Sequence, residues 1–316
     1  MPVSDSMPDD VRIMSEAIRL LGERREARID LGNCGTAMRF LTAYCAQLEG
    51  QITILDGVER MRHRPIGQLV DALREIGADI EYLGEEGFPP LRIKGCVLDK
   101  HRIVTIHNPQ STQFVSALLL IGANVQTDST SPYITLTRTL IQHYTTLHQS
   151  TQHYTIERDW SSAAFWYEYV ALHGGEIELP GLYKDSLQGD KVVVDIFAYL
   201  GVHTKYNDEG IVIYSSPLHS TPYTLHQDFA SCPDLYPAVA LTCERLGVTL
   251  YATGVESLPL KESDRLRAVR EHRTEHDHRM AMALLIAGYE VDDTACINKS
   301  YPQFFEQWKT IVRSHA

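Results

Sequence analysis

The sequence predicts an α/β (α+β) fold in which a small helix–strand module is used several times, in a chain long enough for two domains. Three segments share one layout: EAIRLLG ending at Gly22, DALREIG ending at Gly77 and DIFAYLG ending at Gly201. Each opens on an acid six residues before its glycine, carries apolar residues at helical spacing and leads into an extended stretch. Amphipathic helix, glycine cap, then strand is the mechanical content of this pattern. The stretches ADIEY (Ala78 to Tyr82) and VHTKY (Val202 to Tyr206) continue the last two copies in parallel. The glycines are 55 and 124 residues apart, so a degenerate copy is expected near Leu136 to His148, which has the helical pattern without a glycine. A length of 316 residues accommodates two cores.

Between these modules, four polar clusters each lead into an apolar helix: Gly32 to Ala46, Ser111 to Ala123, Asp159 to Gly175 and Asp277 to Gly288. A Ser, Thr, Asn or Asp at a helix start is ordinarily an N-cap, worth ~1 kcal/mol. Several of these starts also carry Gln, Arg or His, which a cap does not require. They read as helix N-termini facing an anionic ligand, where unpaired N–H groups and the helix dipole favour negative charge. The glycines flanking Asn33 would let backbone approach such a ligand closely.

The richest stretch is KESDR, Lys261 to Arg265, followed by DHRMAM, Asp277 to Met282. Asp277, His278 and Arg279 fall at the first turn of a predicted buried helix. With Lys261 and Arg265 they form a site for a multiply charged phosphate or carboxylate, and Glu262 beside them is a candidate proton donor. Taken alone, KESDR would read as a surface salt-bridge network.

Composition narrows the function classes. Hydrophobic residues make up 44% and charged residues 22%, with a net charge of −12. That balance fits a soluble globular protein and argues against a general nucleic-acid binder. The six cysteines (34, 45, 96, 232, 243 and 296) lack metal-ligand or C-x-x-C spacing and are expected to be reduced thiols. No apolar run reaches the ~18 residues of a membrane span, and the N-terminus is acidic rather than signal-like. A cytoplasmic protein that does not bind membranes is expected.

The motifs GNCGTAMR (Gly32 to Arg39), RMRHRPIGQLVDALREIGA (Arg60 to Ala78), STQF, SPYI, SSAAF, KESDR, DHRMAM and NKSYPQFFEQW (Asn298 to Trp308) occur in this order. In them the chain resembles the EPSP synthase (3-phosphoshikimate 1-carboxyvinyltransferase) family of enolpyruvyl transferases. The resemblance spans nearly the whole chain. It implies two similar domains of repeated βαβαββ units, an inside-out α/β barrel, with the active site in the inter-domain cleft. The expected domains are 1–156, binding shikimate-3-phosphate, and 157–316, carrying most of the phosphoenolpyruvate cations.

The resemblance also implies roles residue by residue. Shikimate-3-phosphate would meet Ser111, Thr112, Gln113, Thr130, Ser131, Tyr133, Asp234, Ser257 and Lys261. Phosphoenolpyruvate would meet Asn33, Gly35, Thr36, Arg64, Gln113, Arg265, His278, Arg279 and Lys299. Asp234 and Glu262 match the two acids that handle protons. The substrate 5-hydroxyl attacks C2 of phosphoenolpyruvate, C3 gains a proton and phosphate then leaves. Such a reaction needs a base and an acid on opposite sides of the reacting carbon, and no metal or organic cofactor. The expected partners are these two small molecules, with the chain acting as a monomer in chorismate and aromatic amino acid biosynthesis.

The sequence also departs from the family. The family's N-terminal strand and helix, with a Lys-Ser pair and an Arg, have no counterpart before Asn33. Segments are expected to be absent before Ser131, between Tyr144 and Glu157, and between Arg273 and Glu275. Pro259 stands where an Arg is usual. An alternative follows, a shortened and catalytically silent relative that binds ligand or partner without turnover. The UDP-N-acetylglucosamine enolpyruvyl transferases are the nearest enzymatic rival, but STQF and KESDR fit the shikimate branch better.

Overall fold

Helix α1 (Asp9–Glu23) opens the N-terminal part of the chain without a side-chain cap. Asp9 and Asp10 in its first turn face the positive end of the helix dipole, and Ala17 and Leu21 anchor it to the core. The computed structural model describes residues 7–147, 156–216 and 224–315. The chain divides into two units, Met1–Thr151 and Gln152–Ala316.

A complete βαβαββ module follows α1. It runs through strand β1 (Glu26–Asp30), helix α2 (Gly35–Ala46), strand β2 (Ile52–Asp56), helices α3 (Glu59–Arg62) and α4 (Gly67–Glu75), and strands β3 (Asp79–Tyr82) and β4 (Leu91–Lys94). The sheet order is β1-β2-β4-β3. Strands β1 and β2 are parallel, Glu26 lying beside Ile52, and α2 supplies the crossover that parallel pairing requires. Strand β4 is antiparallel to both β2 and β3. A shorter βαβα module comes next: β5 (Ile103–Ile106), α5 (Thr112–Leu120), β6 (Asn124–Thr127) and α6 (Pro132–Leu147), with β5 and β6 parallel.

The C-terminal unit repeats this grammar. Helix α7 (Trp160–His173), strand β7 (Glu176–Pro180), helix α8 (Val193–Tyr199) and strands β8 (Val202–Tyr206) and β9 (Gly210–Ser215) form a sheet ordered β7-β9-β8. Both pairings are antiparallel, as in β2-β4-β3. Then β10 (Thr224–Asp228), α9 (Tyr236–Leu246), β11 (Thr249–Thr253) and α10 (Arg265–Glu271) form a second βαβα module. Strands β10 and β11 are parallel, and helices α11 (His278–Ile286) and α12 (Phe304–His315) complete the chain.

Two of the three predicted helix–glycine–strand copies appear as expected. Helices α4 and α8 end just before Gly77 and Gly201, whose φ values are 101° and 89°, a region that glycine alone enters without steric cost. The first copy differs. Helix α1 runs through Gly22 to Glu23, and Arg24 in extended conformation is its C-cap. The degenerate copy at Leu136 to His148 is helical through Leu147, and its end lies outside the described residues.

Helices form the interior of each unit and strands its outside. Helices α2, α5, α7, α9 and α11 are buried on most of their faces, which suits their near-uniform apolar character. Strands such as β3 and β5 bury alternate residues, as expected of sheets with one solvated face. No helix among the described residues is long and apolar enough to cross a membrane.

One polar residue breaks the interior of α7. Glu168 is fully buried, and neither carboxyl oxygen has a hydrogen-bond partner among the described residues. Burial pushes its carboxyl well above the usual range, so the folded protein holds it protonated. The unfolded chain ionises it near the ordinary value. This group's contribution to stability is therefore complete below that value and is lost as pH rises toward the folded pKa. Glu168→Met is expected to stabilise the fold at pH 7 by about 1–3 kcal/mol, the cost of an unsatisfied buried polar group. Urea unfolding at about pH 4 should show a smaller gain; an equal gain at both would exclude ionisation as the cause.

Candidate active site

In the N-terminal unit the predicted ligand residues collect at three helix starts. Helix α2 is capped by the Cys34 thiol, which accepts from Ala37 N at 3.4 Å, and not by Asn33. The Asn33 amide oxygen is instead buried with no hydrogen-bond partner among the described residues. Ser111 caps α5, accepting from Gln113 N at 3.3 Å. Ser131, ahead of α6, accepts from Tyr133 N at 3.3 Å. Helices α5 and α6 are tied by Ser116 Oγ and Thr137 Oγ1, 2.7 Å apart.

Gln113 links α5 to α2. Its amide nitrogen donates to Thr36 Oγ1 at 2.8 Å, and its amide oxygen accepts from Arg39 Nη1 at 2.8 Å. A Cβ added at Gly35 would lie 2.7 Å from Arg39 Nη1 and 2.7 and 2.8 Å from the terminal nitrogens of Arg64. Two buried guanidinium groups therefore close over the Gly35 backbone at a helix N-terminus, an arrangement suited to an anion. Sequence reasoning gave Arg39 no role. Its signal was a lone cation inside an otherwise apolar helix.

In the C-terminal unit KESDR and DHRMAM fold into one charge network with a buried centre. Arg265 is its hub, only 1% exposed. Its guanidinium donates to Asp234 Oδ1 at 2.6 Å, Asp277 Oδ2 at 2.8 Å and Glu262 Oε2 at 3.2 Å. Asp234, ahead of α9, also meets Lys261 Nζ at 3.2 Å and Arg279 Nη2 at 3.2 Å. Lys299 Nζ lies 3.3 Å from Glu262 Oε1. Asp277 caps α11 through Arg279 N at 2.9 Å and accepts from the Ser263 hydroxyl at 3.1 Å. The local fold supplies this convergence: α10 and α11 both start on capping aspartates, Asp264 and Asp277. Burial distinguishes this network from the surface salt bridges that KESDR alone suggests.

The electrostatics refine the predicted roles. Burial alone would raise the Asp234 carboxyl, but Arg279, Lys261 and Arg265 hold it well below the usual range. At rest it is an ionised acid occupied by three cations. Asp277 is likewise pushed up by burial and pulled lower overall by Arg265. His278 is driven down to about 3 by burial, with Lys299 and Arg279 adding to the effect. It therefore carries no charge at neutral pH and can offer an anion only a hydrogen bond. Ser257 begins the 3-10 turn before Lys261, where its carbonyl accepts from Leu260 N at 3.1 Å. Thr112 is the first residue of α5, and Thr130 precedes α6.

A family model described as EPSP synthase (3-phosphoshikimate 1-carboxyvinyltransferase) matches residues 4–272 and 270–308. A 3-phosphoshikimate 1-carboxyvinyltransferase from Bacteroides fragilis is 36% identical, over 97% of this chain and 87% of the relative. That alignment runs over 366 positions against a chain of 316, so the relative holds segments without a counterpart here. One from Colwellia psychrerythraea is 30% identical, over 90% of this chain and 79% of the relative. The solved EPSP synthase of Acinetobacter baumannii shares the fold, with a TM-score of 0.64 at 20% identity over 90% of this chain and 78% of that one. With the family model matching most of its length, the chain belongs to the EPSP synthase (3-phosphoshikimate 1-carboxyvinyltransferase) family.

Proposed function

We propose that the buried charge network around Arg265 is the proton-handling and phosphoenolpyruvate-binding half of this family's transferase site. The reaction transfers the enolpyruvyl group of phosphoenolpyruvate to the 5-hydroxyl of shikimate-3-phosphate and releases phosphate. The observation that carries the reading is the meeting of Lys261, Arg265, Arg279 and Lys299 with Asp234 and Glu262 in one partly buried cluster. The cations hold carboxylate and phosphate oxygens through charge-assisted hydrogen bonds and stabilise the charge on the leaving phosphate.

The two acids divide the proton work. Asp234 takes the hydroxyl proton and Glu262 supplies the proton that reaches C3; when phosphate leaves from C2, C3 gives a proton back to Glu262 and the C2–C3 double bond is restored. The resting geometry adds a condition: an anionic substrate must first draw cations away from Asp234, which raises its proton affinity when a base is needed. Ser111, Thr112 and Gln113 with Thr130, Ser131 and Tyr133 hold shikimate-3-phosphate, and Arg64 with the Gly35–Thr36 backbone assists phosphoenolpyruvate. This arrangement supports turnover over silent binding. In this reading the protein acts as a cytoplasmic monomer.

A phosphate-release assay with both substrates tests the proposal; no release in their joint presence would overturn it. Gly35→Ala gives a finer test. The three atoms nearest an added methyl group are guanidinium nitrogens of Arg39 and Arg64, the far ends of long side chains, which can shift without moving the backbone. Loss of one charge-assisted contact, ~1.5–3 kcal/mol, corresponds to a KM for phosphoenolpyruvate raised roughly 10- to 100-fold. The thermal melt should be unchanged.

A further inference from the structure

Asp190 lies in the 3-10 turn Gly189–Val192 that leads into α8, and it is fully buried. The Ser161 hydroxyl, in the first turn of α7, donates to its Oδ2. Its Oδ1 is buried with no hydrogen-bond partner among the described residues. Arg279 presents the complement. Its Nη2 is engaged by Asp234 at 3.2 Å, while its Nη1 is buried with no hydrogen-bond partner among the described residues. Three carboxylates act on the Arg279 charge: Asp234, Asp159 and Asp190. Asp159 is committed to capping α7 through Ser161 N and Ser162 N, both at 3.1 Å. Asp234 is the residue that must release its cations during the proposed reaction. Asp190 alone of the three keeps an uncommitted oxygen.

We propose that Asp190, anchored by Ser161, is a positioning residue for Arg279, supplying its counter-charge when Asp234 turns to the substrate. The inference rests on the reaction proposed above. The electrostatics fit such a handover. Burial and then the Asp234 charge push the Asp190 carboxyl up to about 6, while Ser161, and more weakly Arg279, oppose the shift and Asp159 adds to it. Cys232 is the other titratable neighbour, and burial keeps it a thiol. When Asp234 accepts a proton its repulsion of Asp190 ends, and Asp190 ionises more readily beside Arg279.

The test is steady-state phosphate release by Asp190→Asn and Ser161→Ala against the parent chain, from about pH 5 to 8. Asp190→Asn keeps the shape and can still accept from Ser161. It is expected to lower kcat by about 10- to 100-fold, the scale of a misplaced contact group. The KM for phosphoenolpyruvate should stay unchanged or fall, because a negative charge near an anion site has been removed. An acid-side limb near pH 6 should be present in the parent and absent from Asp190→Asn. Ser161→Ala, which leaves the carboxyl but removes its donor, should move that limb to higher pH.

Parent kcat and an unmoved limb in both variants would overturn the inference, as would a raised KM with kcat intact. If Asp190→Asn does not fold, the limb of Ser161→Ala decides. A parent chain that releases no phosphate overturns the proposed reaction and this inference with it. An active parent with unaffected variants overturns the inference alone.

Discussion

Glu262→Gln is expected to lower turnover by about 10²–10⁴-fold, the usual contribution of a positioned acid or base, while substrate affinities change little. The amide keeps the side chain's length and still accepts from Arg265, which donates to Glu262 at 3.2 Å. What it cannot do is give up a proton. Lys299, 3.3 Å from the other carboxyl oxygen, then faces the amide nitrogen and must turn to another acceptor, a local change that leaves the Arg265 contact in place. Single-turnover and steady-state kinetics separate the two quantities. Turnover within a few-fold of the parent would make Glu262 a structural partner of Arg265 and move the proton chemistry elsewhere.

Arg265→Met is expected to damage stability as well as activity. Methionine fills a similar volume but leaves Asp234, Glu262 and Asp277 without the cation that joins them. Removing one partner of a buried ionic network costs about 3–5 kcal/mol. Denaturant unfolding at pH 7 measures the loss, and pH provides the control. In the parent, Asp234 and Asp277 both have lowered pKa values. Their stabilisation is thus present above the ordinary aspartate value and is lost only as pH falls below it toward the folded values. In the variant these carboxyls lack Arg265 and should ionise less readily than in the parent. The deficit should therefore shrink as pH falls from 7 toward 5. A deficit independent of pH would point to lost packing.

The parts of this architecture that were legible in the sequence are those set by local rules. Gly77 and Gly201 announced helix ends because only glycine adopts their positive φ easily. Gly22 carried the same signal and misled, since α1 continues past it. Asp159, Ser111 and Asp277 were readable as caps, whereas Cys34 was not, because a thiol is outside the usual capping set. Long-range pairings were harder. KESDR and DHRMAM declared a cluster because both are dense in charge. Arg39 reaches Gln113 across 74 positions, and Asp190 meets Ser161 across 29. Neither has a local pattern that betrays its partner. Glu168 sits in a helix whose apolar run predicted burial, but nothing in that run predicted a carboxylic acid within it.

The ion pairs around Arg265 also bear on how a ligand arrives. Lys261, Arg265, Arg279 and Lys299 stand against Asp234, Glu262 and Asp277. With His278 neutral, the four cations are largely offset by the acidic side chains they face, in a chain whose total is −12. Such a cluster projects little field beyond about 10 Å at ordinary ionic strength. Approaching anions gain scant guidance from it, and capture is decided at contact. Under the proposed function, a phosphate or carboxylate would have to replace carboxylates already in place, so the protein's own acids would act as internal competitors. A ligand with too little charge to displace them leaves the network closed.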